Sequence, residues 1–371
     1  MRIPEHVVVV GGGIFGASSA TELARRGITT TWVTKGRLAD GASGRSLAWL
    51  NSAGFRTEAY HRIRVEGISR WRDFANRIPG SESFLRFDGG LTWAKPGLSH
   101  KERFRHERAL DYPSAWVPRD AISEVAPAVD PAAVASEGAI FNANDGWVDL
   151  PSVISVLRRE FEIFGGTVIE DAGRCVPVVE NGRATAVRTG AGGVLPADAV
   201  VVAAGPQSPG VLRDIDVTIS DDSPAAFVAF TQPLDHGLST VLNTPLVAIR
   251  PTVDGGLAMD SGWSERSITV DDGGTTHVAD QVIERLLAEA TKVLAAHPSL
   301  ELDHIGMGEK PIPGDGEPCI GAIDSVSGLY VAFSHSGATQ GLLMGALIAA
   351  EVIDGSIDPL TEPFRPGRLT A

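Results

Sequence analysis

Apolar positions in this chain follow two rhythms, and their alternation predicts its elements. Val7, Val8, Val9 and Val10 form an unbroken β-branched run, short enough for a buried strand, that ends on Gly11, Gly12 and Gly13. Residues 14–26 then carry helical spacing and residues 28–34 form a second apolar strand, so the chain opens as strand, helix, strand. In EAYHRIRVEGISRWRDFANRI, residues 58–78, Ile63, Ile68, Trp71 and Phe74 fall near one helical face with charges opposite. Strand-like pieces follow in FLRFDGGLTWA, where Gly89 and Gly90 signal a tight turn. Residues 150–171 read as a helix ending at Gly165 and Gly166 and then a strand, and ADAVVVAAG, 197–205, as a short buried strand closing on Gly205. Residues 224–231, 243–250 and 256–261 read as strands of a mainly antiparallel sheet, and 280–294 as an amphipathic helix. A strand around Cys319 precedes a last unit, SGLYVAFSHSGATQGLLMGALIAAEVIDG, which is strand, loop and helix with Gly337 and Gly341 near the helix start.

This interleaving predicts an α/β fold of two discontinuous parts. Residues 1–78, 148–215 and 308–371 form a Rossmann-like nucleotide-binding domain, and residues 79–147 and 216–307 an α+β substrate-binding domain built on a mainly antiparallel sheet. The 371 residues contain no fixed-period repeat and no low-complexity tract. Composition narrows the function further. Hydrophobic residues make up 43% and charged residues 21%, with no apolar tract long enough to cross a bilayer. The start, MRIPEHVVVV, enters a strand at once and leaves no room for a signal sequence, which predicts a cytoplasmic protein. Cys175 and Cys319 stand far apart with no C-x-x-C pair, fitting a reducing compartment and no metal site. The balance of 32 basic against 46 acidic residues, net −14, repels nucleic-acid backbones and anionic membranes and excludes both as expected partners.

Gly11, Gly13 and Gly16 form G-x-G-x-x-G directly between a strand and a helix. The first glycine allows the tight turn, the second lets backbone approach a pyrophosphate, and the third lets helix and strand pack closely. The helix N-terminus adds free N–H groups and a partial positive charge. The acid that usually grips the ribose is absent, since TTTWVTKG ends the second strand. Thr34 offers one hydroxyl, and Lys35 and Arg37 would suit the 2′-phosphate of NADP; the alternative is FAD, held by enough other contacts to do without the acid.

The blocks VVVVGGGIFGASSA, LADGASGRSLAWLNSAG, NANDGWVDLPSVISVLRREFEIFGGTVIE, ADAVVVAAGPQS, GEKPIPGDGEPCIGAID and GLYVAFSHSGATQGLLMG, in that order, cover nearly the whole chain. Together they resemble the superfamily of D-amino-acid oxidase, glycine oxidase and sarcosine oxidase. The resemblance implies a nucleotide-binding domain of glutathione-reductase type that holds FAD. It assigns cofactor contacts to Gly11, Gly13, Ile14, Phe15, Gly16, Thr34 and Lys35, and to Ser43, Gly44, Arg45, Ser46, Ala48 and Trp49 of the following loop. It adds Val176 near the adenine, Ala204 and Gly205 at a strand end, and Gly337, Ala338, Thr339 and Gln340 at the flavin edge. The position of the family's covalent cysteine holds Gly308, and no histidine stands near Arg45, so the expected FAD is noncovalent.

The resemblance also points to the residues of the reaction. Many members place an arginine before a proline as a carboxylate clamp; here GMGEKP has Lys310, a point charge rather than a planar fork, or else a surface ion-pair partner of Glu309 or Glu317. His335 stands in the flavin-edge loop, either as a base or as a structural residue. In RPTVDGGLAMDSGW, Arg250 is a candidate anion partner and Trp263 a candidate apolar wall. The implied reaction takes a hydride from a carbon bearing nitrogen, in a small amine or amino-acid-like substrate, to flavin N5. Water then hydrolyses the imine, and O2 or another acceptor reoxidises the flavin. The alternatives are oxidation of a 2-hydroxy acid or alcohol on the same scaffold, or service as a flavoprotein subunit of a larger complex. The oligomeric state is left open.

Overall fold

The computed structural model describes residues 3–271 and 273–370. His6–Val10, apolar on both faces, is an inner strand of a six-stranded sheet. Thr29–Val33 pairs with it in parallel on one side and Ala199–Val202 on the other. Thr167–Ile169 and Leu329–Phe333 extend the two sides in parallel, and Cys319–Ala322 closes one edge antiparallel. Alternate valines of the first strand enter two cores, as strand geometry requires. Val7 and Val9 pack with the helices Ile14–Arg25, Leu150–Ile163 and Gly337–Asp354, while Val8 and Val10 pack with Val200, Val202 and Val331. The first and last of these helices approach so closely that a methyl group on Gly345 would overlap the backbone of Ser18, whose hydroxyl donates to the Gly341 carbonyl at 2.7 Å.

Strand order reverses at the first strand, which opens a crevice at the carboxyl ends of the parallel strands, where ligands of such sheets bind. Over this crevice stands an eight-stranded sheet in the order Leu302–Glu309, Ala225–Thr231, Leu257–Asp260, Ala248–Pro251, Val241–Asn243, Gly90–Thr92, Ala139–Asn142 and Ser114–Val117. Only 241–243 and 90–92 pair in parallel. Helix Asp280–Val293 covers one face with Leu286, Ala290 and Val293. A small sheet of Trp49–Leu50, Gly146–Val148 and Leu85–Arg86 lies apart from both large sheets, and Val176–Glu180, Arg183–Arg188 and Val194–Pro196 form a separate meander.

Two expectations need correction. Residues 243–250 are not one strand: a turn at Thr244–Val247, with the Thr244 N–H on the Val247 carbonyl at 3.0 Å and Pro245 inside it, splits them between two neighbouring strands. Residue 308 falls inside the strand Leu302–Glu309, so that strand runs in the eight-stranded sheet to its end. No helix among the described residues is long and apolar enough to cross a membrane.

Candidate active site

The glycine turn is held from three sides. Gly11 has φ +129°, and a Cβ there would run into the Ala203 carbonyl; a Cβ on Gly16 would run into the Gly11 carbonyl. That same carbonyl accepts the indole N–H of Trp32 at 2.7 Å, which ties the second strand to the turn. Gly13 is the N-cap of the first helix and brings no side chain to it; the Ile14 N–H instead meets Ser43 Oγ at 3.0 Å. The result is a close-approach cradle backed by a helix N-terminus, which suits a pyrophosphate. Thr34, where the ribose acid would stand, turns its hydroxyl toward Gly12, 2.6 Å from where a Cβ would lie.

A cavity of about 810 Å³ opens from this turn. Its wall includes Gly11, Gly13, Ile14 and Phe15; Thr34 and Lys35; Ser43, Arg45, Ser46, Ala48 and Trp49; Ala204 and Gly205; and Gly337, Ala338 and Thr339. Lys310 and His335 line it as well. Arg45 is engaged already, donating to the Met307 carbonyl at 2.7 Å and to Asp40 at 3.1 Å. Ala48 takes φ +46°, with its N–H on Ser46 Oγ at 2.9 Å.

Six expected residues lie off this wall. Gly16 packs under the turn and Gly44 against the Ala39 carbonyl, so both shape the site from behind. Val176 opens on a separate cleft with Arg174 and Arg188, leaving its neighbour Cys175 on the main cavity. Gln340 is fully buried in the last helix. Trp263 is not the apolar wall expected, because its indole donates to the Leu246 carbonyl at 2.7 Å and stacks under Arg285. Arg250 is no anion partner either: it is buried over the Trp147 ring and donates to the carbonyls of Pro251, at 2.7 Å, and Ser46, at 3.3 Å. Burial lowers its pKa to about 10. Alternation along a strand defines two faces without saying which one meets the cavity.

The charged end of the cavity holds groups that the sequence reading passed over. Arg56 and Arg64 reach the wall from the loop before, and the second turn of, helix Glu58–Arg77. Arg64 is buried, and its acceptors among the described residues are all neutral: the Asn51 carbonyl at 2.9 Å, Asn51 Oδ1 at 3.0 Å, and the hydroxyls of Ser336 and Tyr60. Arg56 donates through Nε to the Ala53 carbonyl at 3.2 Å, and its terminal nitrogens have no partner among the described residues. Burial, with Arg64 adding repulsion, lowers the Arg56 pKa to about 10. The loop carrying Arg56 is pinned from below. The Gly54 N–H meets buried Glu107 at 2.6 Å, and the Ser52 N–H meets the Tyr112 hydroxyl at 3.0 Å. Tyr112 in turn bonds to buried Asp145, whose other oxygen accepts the Trp49 indole N–H at 3.0 Å. Burial pushes the Asp145 carboxyl up to about 8.

Lys310 does not pair with Glu309 or Glu317 but with Glu265, from the short helix Gly262–Glu265. Asp260, at the end of its strand, also lines the cavity. His335 opens into the cavity while protein encloses its other sides; burial first, then Lys310, Arg64 and Arg56, lowers its pKa to about 4. It is therefore a neutral ring at physiological pH, able to donate or accept a hydrogen bond but a weak base. Cys175 and Cys319 are buried and their thiols pushed up, to about 11 and about 12, so neither is a ready nucleophile.

A signal for Arg64 exists in the sequence. It stands one helical turn from both Tyr60 and Ile68, a charge inside an apolar stripe.

Comparison with known proteins gives a consistent picture. The DAO family model, described as FAD dependent oxidoreductase, matches residues 6–351. A glycine oxidase of Bacillus licheniformis is 26% identical over 341 residues, covering 86% of this chain and 85% of that protein. The uncharacterized oxidoreductase YurR of Bacillus subtilis is 25% identical over 381 residues, 98% of this chain and 99% of that one. The crystal structure of L-proline dehydrogenase from P. horikoshii superposes with a TM-score of 0.83 at 20% identity, over 99% of this chain and 98% of that one, a likeness of fold.

Proposed function

We propose, for a chain that belongs to the family of FAD-dependent oxidoreductases, that it oxidises the C–N bond of a small amine bearing a carboxylate. The protein is an FAD-dependent oxidoreductase, and FAD supplies the two-electron acceptor. Noncovalent FAD would be held by the amides of the Gly11–Phe15 turn, by Ser43 and Ser46, and by the Ser336–Thr339 segment at the start of the last helix. On this reading residues 1–78, 148–215 and 310–371 carry the cofactor, and 79–147 and 216–309 present the substrate.

One observation carries the substrate class: Arg56 and Arg64 stand together on the cavity wall, and no carboxylate among the described residues is hydrogen-bonded or ion-paired to either. Two desolvated guanidinium groups without an acid partner favour an anionic ligand group, and Arg56 keeps its planar fork free for one. Arg56 thus takes the part that Lys310 was expected to play, while Lys310 is held by Glu265. The relatives include a glycine oxidase, whose named substrate is an amino acid, which supports the same class.

The test is anaerobic mixing of holoenzyme with D- and L-amino acids, secondary amino acids, carboxylate-free amines and 2-hydroxy acids, followed as loss of visible flavin absorbance. Bleaching by carboxylate-bearing amines is expected, and Arg56→Met should lower kcat/KM for them by about tenfold or more, the scale of one charge-assisted hydrogen bond. Bleaching by 2-hydroxy acids alone, or equally by carboxylate-free amines, overturns the proposal.

A further inference from the structure

Charges around the cavity mostly cancel in pairs. Glu107, beneath the Arg56 loop, is matched by Arg103 at 2.8 Å; Lys310 is matched by Glu265; Arg45 is matched by Asp40 at 3.1 Å. After these pairings the wall still carries the cations Lys35, Arg37, Arg56 and Arg64 and the anions Glu309 and Asp260; Glu309 accepts a hydrogen bond from Gln207 at 2.9 Å, which leaves Asp260 as the anion without a partner among the described residues. Its carboxyl makes no hydrogen bond or ion pair with any described residue, although the residue is only half-exposed and lines the same cavity. Unmatched charge on a desolvated wall is costly unless a ligand completes it.

We infer that Asp260 is the recognition residue for a positively charged nitrogen of the substrate, so that the cavity selects a zwitterion: carboxylate toward Arg56, cationic nitrogen toward Asp260. This rests on the carboxylate-amine reading above and adds to it the protonation state in which the substrate is captured. Lys310 acts electrostatically on both Asp260 and His335, as Arg64 and Arg56 do on His335, and all five line the one cavity. The charged groups facing Asp260 are Lys310, from the end of the strand Leu302–Glu309, and Glu265, from the helix following its own strand. Burial raises the Asp260 carboxyl to about 7, Lys310 pulling it down and Glu265 pushing it up. The nitrogen is therefore bound best above that pH, and protonation of Asp260 below it removes the attraction.

The probes are trimethylglycine and 3,3-dimethylbutanoate, which share shape and carboxylate and differ by one permanent positive charge; neither has an amine lone pair to support oxidation. Each is titrated into the FAD-loaded protein by calorimetry and by its shift of the flavin spectrum. At about pH 8.5 trimethylglycine should bind about tenfold tighter or more, a difference of about 1.4 kcal/mol. That preference should vanish in Asp260→Asn, return in Asp260→Glu, and fade in the unmodified protein at about pH 5.5, where trimethylglycine is fully ionised and 3,3-dimethylbutanoate is mainly so, its concentration being corrected for the protonated fraction. The pH comparison decides the matter if Asp260→Asn does not fold. Equal binding of the two probes to the unmodified protein at high pH, or an undiminished preference in Asp260→Asn, overturns the inference alone. If neither probe binds, the carboxylate reading falls and takes the inference with it.

Discussion

Replacing Gly13 with aspartate should act in opposite directions on the protein and on its cofactor. Gly13 has ordinary extended backbone, φ −85° and ψ −176°, so a side chain brings no strain there. A Cβ at this position meets Ser43 Oγ at 3.1 Å and no other atom within 4 Å, so the Ser43 side chain must give by a few tenths of an ångström, and the new carboxylate can take over the capping of the first turn that Ser43 provides at the Ile14 N–H. As an N-cap, aspartate accepts a hydrogen bond from the first helical turn and gains a few tenths of a kcal/mol over glycine, so apoprotein stability should hold or rise. The same carboxylate faces the position where the resemblance puts a pyrophosphate. For unit charges about 4 Å apart at an effective dielectric of about 20, repulsion is about 4 kcal/mol, close to a thousandfold in affinity. Gly13→Asn, with the same shape and capping ability but no charge, isolates that part. The assay has two arms: urea unfolding of the apoprotein, and FAD titration followed by quenching of flavin fluorescence. An aspartate variant that binds FAD within tenfold of the asparagine variant would refute the electrostatic reasoning. Unfolding of both variants would refute the geometry.

Other expectations follow from contacts behind the cavity. Gly16→Ala forces a methyl into the Gly11 carbonyl and should cost about 1–3 kcal/mol, read as a lower urea midpoint with unchanged slope; an unaltered midpoint rejects the close packing. Asp145, whose carboxyl is raised in the folded protein, keeps its proton between about pH 4 and pH 8 while the unfolded chain releases it, so folding stability should fall as pH rises through that window. Asp145→Asn should flatten this slope in unfolding measured at several pH values, and equal slopes in the two proteins would count against a buried neutral acid. Acid precipitation should leave the yellow colour wholly in the supernatant, as noncovalent FAD requires; colour retained by the pellet would show a covalent bond.

Much of the fold was legible because its signals are local. The valine run, the glycines and the helix after them sit next to one another in sequence, and each glycine has a steric reason that the structure bears out at Gly11 and Gly16. The charged end of the cavity was less legible, since its members come from distant segments. Arg56 reads as an ordinary loop residue and Asp260 as an ordinary strand terminus; only the pairing of Glu107 with Arg103 and of Lys310 with Glu265 shows which charges remain unmatched. Lys310 lines the cavity, but its ion-pair partner is Glu265 rather than Glu309 or Glu317, a partner too far from it in sequence to be read there. Trp263 and Arg250 failed for a different reason: both found carbonyl acceptors that no local pattern announces.

The pairing of Val8 with Val200, and of Val200 with Leu329, has a consequence for biosynthesis. The opening strand leaves the ribosome long before either neighbour on that side has been translated, and Ala203, which backs the glycine turn, arrives with the later strand. A nascent chain therefore presents a bare valine edge for most of its synthesis, a surface that chaperones recognise. Flavin loading belongs to the completed polypeptide, and truncation anywhere before the last helix should give a product that aggregates colourless.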